Sequence, residues 1–120
     1  MAKLMTDAMI DGGLDKIGTC TRITVLSAEP TSITDITTTY PLASTALTGG
    51  DFTKANGDTS GRKTTVAQKA SVSITATGTA THVAIDDGTD YVVTTCTSQA
   101  LTSGGTVTIP TWKVEIADPA

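Results

Sequence analysis

The clearest periodic signal in the chain lies in Lys69–Ile85, KASVSITATGTATHVAI. Val72, Ile74 and Ala76 alternate there with Ser71, Ser73, Thr75 and Thr77. This is the period of two that turns one face of a strand to a core and the other to water. Past Gly78 the large apolar residues, Val83 and Ile85, fall on odd positions, so the phase has slipped by one residue. A slip of one sends every side chain to the other face, and a glycine at the slip predicts a bulge or a sharp bend. Asp86-Asp87-Gly88 is turn chemistry and Tyr91-Val92-Val93 opens another strand. A hairpin is therefore predicted across residues 71–97, with the other strands laid beside it.

Residues 3–17 predict one amphipathic helix: Ile10, Leu14 and Ile17 recur at spacings of 4 and 3, and Asp7, Asp11 and Asp15 are assigned to the opposite side. Its three carboxylates repel one another mildly, and Gly12-Gly13 costs about 1 kcal/mol per glycine relative to alanine, so the helix needs a partner surface. That surface is either the domain's own sheet or a neighbouring protein. Thr21–Leu26 reads as a strand with Ile23 and Val25 on one face. Pro30 then breaks the chain into a loop or edge segment. Ile33–Leu42 reads as a short strand held at an edge by Pro41. From Thr45 to Gly61 the turn words Gly49-Gly50-Asp51, Asn56-Gly57-Asp58 and Ser60-Gly61 predict the longest irregular region, a candidate contact surface. Arg62–Val66 is a short strand. Thr102–Gly105 is a tight turn, and Thr106–Ile116 is a strand pair or one long strand bent at Pro110, where the apolar phase switches.

About seven short strands separated by turn signals predict a mainly β, single-domain β-sandwich over 20–118, immunoglobulin-like or jelly-roll-like, with the helix attached in front. Composition sharpens this. The chain has 120 residues, which suits one domain, and only 3% of them are aromatic: Tyr40, Phe52, Tyr91 and Trp112. The core must come from Val, Ile, Leu and Ala and is thin. Threonine, at 27 positions, favours strands while tolerating a wet surface.

A net charge of −4 gives no basic face for nucleic acid or an anionic membrane. The N-terminus lacks a signal-peptide h-region and no stretch of about 18 apolar residues occurs, so assembly in a cytoplasm is expected. Cys20 and Cys96 are too far apart in sequence for a metal knuckle or redox motif and are expected to be reduced thiols.

Candidate chemistry is sparse. His82 is the single histidine, no serine sits in a nucleophile elbow, and a hydrogen-bonded structural histidine is the expected role. Asp86-Asp87-Gly88-Thr89-Asp90 lacks the spacing and terminal glutamate of a calcium loop and reads as a hairpin turn. The glycine pairs do not join a strand to a helix as a phosphate loop would. No catalytic residue, metal, cofactor or small-molecule substrate is expected. The candidate interface residues are Ile10, Leu14 and Ile17 on the helix and the basic Lys54, Arg62 and Lys63.

Several words in order resemble a family of small structural proteins of tailed bacteriophages. They are Leu14-Asp15-Lys16-Ile17, Ser27-Ala28-Glu29-Pro30-Thr31, Asn56 to Lys63 (NGDTSGRK), Thr79-Ala80-Thr81-His82 before Asp87-Gly88, and the ending Glu115-Ile116-Ala117-Asp118-Pro119. The resemblance implies a non-enzymatic capsid decoration (cement) protein. Such a protein is made in the host bacterial cytoplasm and binds the outside of the major capsid protein lattice as a homotrimer or homodimer. A tail, head–tail connector or head-fibre protein, including a receptor- or carbohydrate-binding module, is the alternative it leaves.

Overall fold

A computed structural model of the chain describes residues 5–118. The described residues form one α-helix, α1 (Asp7–Ile17), and nine strands. These are β1 (Arg22–Leu26), β2 (Pro41–Ala46), β3 (Phe52–Asn56), β4 (Arg62–Val66), β5 (Lys69–Ser73), β6 (Gly78–Asp86), β7 (Tyr91–Leu101), β8 (Thr106–Ile109) and β9 (Trp112–Ile116). They make three antiparallel sheets of order β2-β1-β6-β7, β3-β4-β9 and β5-β8. The chain is thus mainly β with an N-terminal helix, an arrangement compatible with a single-domain β-sandwich. It is elongated, with extents of 54 × 26 × 24 Å.

The centre of the larger sheet is the antiparallel pair β1–β6. Ile23 stands opposite Ile85 and Val25 opposite Val83, all buried in the main aliphatic core with Leu42, Val66, Val72, Ile74 and Ile109. The other face of the pair is buried as well: Leu26 and Ala84 form a second cluster with Ile36. The sequence RITVL alternates polar and apolar from Arg22 to Val25, yet Thr24 is buried as fully as its apolar neighbours, because both faces of the strand are covered. At the end of the pair, Arg22 stands opposite Asp86 and donates Nε and Nη2 to its two carboxylate oxygens at 3.1 and 2.9 Å.

Ile36 reaches that second face through a segment predicted as a strand. Residues 33–39 are helical instead, closing with a π-type bond from Tyr40 N–H to Asp35 O at 3.0 Å. The signal is local. Ile33, Ile36 and Tyr40 recur at helical spacing, and Ser32-Ile33-Thr34-Asp35 is a start box in which Ser32 Oγ accepts the Asp35 N–H. The strand begins only at Pro41. The predicted irregular region also contains β3, five residues bracketed by the turn words on either side.

Other boundaries move for identifiable reasons. Lys69–Ile85 is two strands in two sheets: β5 pairs with β8, and the hairpin is β6–β7, spanning 78–101 instead of 71–97. The alternation at 71–77 is kept, with Val72 and Ile74 buried and the serines and threonines exposed. The change of phase falls between two strands of different sheets, β5 and β6; the bulge lies three residues beyond Gly78 and its extra residues are on β7, where Cys96, Thr97 and Ser98 face the single residue Thr81. The chain from 106 to 116 is likewise two strands: Pro110 separates β8, on β5, from β9, on β4.

The helix starts at Asp7, after Thr6, whose carbonyl accepts the N–H groups of Met9 and Ile10. Residues 3 and 4 of the predicted span lie outside the described residues. The aspartates do not oppose the apolar stripe. At about 100° per residue Asp11 lies only about 60° from Leu14, so both Asp11 and Asp15 reach the sheet beneath. Ile10 and Leu14 are buried on β4 and β9. A Cβ at Gly13 would lie 3.1 Å from Ile116 Cδ1, whereas one at Gly12 would meet nothing within 4 Å.

The two glycines should therefore respond differently to substitution. Gly12→Ala is expected to raise unfolding free energy by about 0.5–1 kcal/mol through helix propensity alone. Gly13→Ala should gain less or lose, because Ile116 must move. Urea unfolding midpoints of the two variants check this, and equal gains would contradict the packing of α1 on β9.

Candidate interaction surface

The six residues predicted to meet a partner are mostly engaged within the domain. Ile10 and Leu14 are 1% exposed, and Ile17 is half-buried against the main core. Two of the basic residues answer the helix's acids. Arg62 donates Nε to Asp11 Oδ1 at 3.0 Å, and Lys54 pairs with Asp15. Lys63 pairs with Asp58 at 2.7 Å. Charge complementarity that the sequence offers to a partner is thus satisfied between α1 and the β3–β4 hairpin. The polar pairs flank the apolar contact and orient the helix on its sheet.

The loop between β3 and β4 is built as a clamp. Lys63 and Lys113 converge on the Asp58 carboxylate from neighbouring strands. Glu115 Oε1 accepts the N–H groups of Asp58 and Thr59, and the Asp118 N–H donates to Ser60 Oγ at 3.1 Å. Gly61 has φ +68°, and a Cβ there would lie 2.0 Å from Ile116 O, so only glycine fits. The two ammonium groups, Lys113 foremost, hold the Asp58 carboxyl down at about 2.

The turn from β6 to β7 is a closed network. Asp87 accepts the N–H groups of Thr89 and Asp90 at 2.9 and 2.8 Å and the Lys16 ammonium at 2.8 Å. Lys16 foremost, then those two N–H groups, holds the carboxyl well below the usual range. Asp86 is taken by Arg22 and the Gly88 N–H. Among the described residues no cluster of three His, Cys, Asp or Glu side chains could hold a metal ion.

His82 is half-buried on β6, its Nδ1 2.8 Å from Thr81 Oγ1 at the bulge. Both cysteines are free thiols. Burial, reinforced by the nearby Asp87 and Asp86 charges, pushes the Cys20 thiol up to about 11. Burial also raises Cys96, which is less enclosed. Cys96 lines an apolar cleft of about 190 Å³ with Leu101 of β7 and Val107 and Ile109 of β8. It forms because β7 and β8, although joined by the tight turn Thr102–Gly105, pair with different neighbours.

Residue-by-residue reading of the sequence missed the free edge of β7. The available signal was a negative one: Tyr91–Trp112 is a run of 22 residues without a charged side chain. No family model matches the chain, and no curated protein or solved structure matches it either.

Two measurements check this description. Asp58 is held at about 2 in the folded chain against an ordinary 3.8. Its contribution to stability is therefore complete above about pH 4 and is lost as pH falls toward 2. Asp58→Asn should be less stable than the parent at neutral pH, and the difference should shrink across that window. A difference independent of pH would remove the two-lysine clamp. At about pH 8 a thiol reagent should leave Cys20 unmodified in the folded chain and label it only on unfolding. Rapid native labelling at Cys20, located by peptide mass, would contradict its burial.

Proposed function

We propose that this chain is a non-enzymatic virion protein of a tailed bacteriophage that decorates the capsid. In this reading it binds the outside of the major capsid protein lattice and raises the work needed to separate neighbouring subunits. The observation that carries the reading is the ordered set of sequence words from Leu14 to Pro119. Two of them, far apart in the chain, form one unit in the fold: Asn56–Lys63 is closed on Glu115 and Asp118 by the bonds described above. The words are thus consistent with a shared structural scaffold.

The physical character of the domain supports the same reading. Its polar constellations are internal ties, its core is small and aliphatic, and its body is 54 Å long, enough to touch more than one subunit of a shell. Such a domain gains stability when surface is buried in an assembly. Since Ile10 and Leu14 are covered by β4 and β9, the shell contact falls on the strand edges and loops and not on the apolar face of the helix. The alternative, a receptor- or carbohydrate-binding module, calls for two aromatic side chains exposed on one face. Here Phe52 and Trp112 pack against the main core and Tyr40 against the second cluster, leaving Tyr91 as the exposed aromatic.

Quantitative mass spectrometry of purified virions tests the proposal. The expected copy number is a simple fraction of the major capsid protein, with particles lacking the chain losing their contents at lower temperature. A count of about a dozen or fewer copies, as for a portal or tail component, would overturn it.

A further inference from the structure

An exposed strand edge offers unpaired N–H and C=O groups, and proteins keep such edges apart with charge, proline, shortness or a covering segment. Most free edges of this fold carry one of these devices. β2 starts at Pro41, and its outer side is covered by residues 74–76, with Thr75 N–H donating to Leu42 O at 2.8 Å. β3 carries Lys54, and β9 carries Lys113 and Glu115. β8 is four residues long and runs into Pro110. β5 carries Lys69 and an irregular register around Ser71.

β7 differs. It is the longest strand, eleven residues, and it pairs with β6 on one side only. Among the described residues its other side has no backbone partner. It has no proline and no charge. The bulge at 96–98 divides it, but Tyr91–Thr95 keeps an unbroken ladder with β6, from Asp86↔Tyr91 to His82↔Thr95. Tyr91, at its start, is one of two large apolar side chains that are exposed among the described residues.

We propose that Tyr91–Thr95 is a self-association edge that pairs antiparallel with the same segment of a second copy of this chain, across a twofold axis near Val93. Three observations favour a second copy as the occupant. Copies of a chain with net charge −4 repel one another, and approach costs least at an edge from which charge is absent. Antiparallel pairing of identical strands needs no second sequence, because a register centred on Val93 sets Tyr91 of each copy opposite Thr95 of the other. Aromatic and β-branched side chains opposite each other across strands are a stabilising pair. Joining the two four-stranded sheets there makes one continuous eight-stranded sheet and satisfies the backbone groups on both edges.

Sedimentation equilibrium of the purified full chain, from about 1 μM to about 500 μM, is expected to show a monomer–dimer equilibrium in this range. The double variant Y91K/T95K places lysine opposite lysine at both cross-strand positions and should weaken dimerisation at least about tenfold. Y91E/T95K places glutamate opposite lysine and should restore it, while T53K, on the exposed face of β3, should leave it unchanged. A parent chain that stays monomeric or forms trimers overturns the proposal. So does a Y91K/T95K chain that dimerises like the parent, or a Y91E/T95K chain no better than Y91K/T95K. If a double variant loses its β circular dichroism, amide exchange of the parent chain at the two concentrations decides. Extra protection in 91–95 at high concentration supports the edge, and unchanged protection overturns it.

Discussion

The β1–β6 ladder is the constraint on which the other elements depend. It is buried on both faces, and each face needs its own cover. The main core supplies one, through β2, β5, β8 and the inner ends of β4 and β9. The helical turn at Ile36 supplies the other. Thr24 is enclosed within the ladder, and Arg22 and Asp86 tie its end by two charge-assisted hydrogen bonds. Removing either partner would leave a charge without its counterpart at a position where Asp86 is nearly sealed from water.

A core in which no aromatic side chain is fully buried cannot extend far, and the architecture follows from this. Instead of one broad sandwich the chain builds a main aliphatic core, a small second cluster and a helix docked on the outer part of β3-β4-β9. Each unit is fastened to the next by polar ties. Asp11 and Asp15 hold the helix to Arg62 and Lys54, Asp58 gathers Lys63 and Lys113, and Asp87 gathers Lys16. Several of these pairs are exposed, and each is worth little alone. Their effect is geometric: they set where α1 and the β3–β4 loop lie once apolar contact has brought them together.

This use of charge also shapes the surface. With lysines, arginines and many carboxylates engaged inside the domain, the uncharged run from Tyr91 to Trp112 forms one neutral flank that includes β7, β8 and the cleft between them. A protein that works by adding its surface to an assembly can use such a flank, since backbone pairing there requires no desolvation of charge. The proposed decoration of a shell and the proposed pairing of β7 draw on this property but concern different contacts.

The alternation at 71–77, the glycine and asparagine turn words, the apolar spacing of 10, 14 and 17, and the break at Pro110 determined by themselves that the chain is β-rich with one N-terminal helix. They did so because period and turn chemistry are local properties. Ser32–Asp35 with Ile33, Ile36 and Tyr40 was equally local, but β-branched residues in that segment pointed to a strand. Tertiary structure alone decided which strands pair. Lys69–Ser73 joins β8 across more than 30 intervening residues, and Gly78–Asp86 joins β1 and β7, because pairing follows burial on both faces and not proximity in sequence. It likewise decided that Lys54, Arg62 and Lys63 serve the domain's own carboxylates. A charge in a sequence does not say whether its counterpart lies in the same chain or in another; the position of the helix on β4 and β9 settles that for Lys54 and Arg62, and the closure of the β3–β4 loop for Lys63.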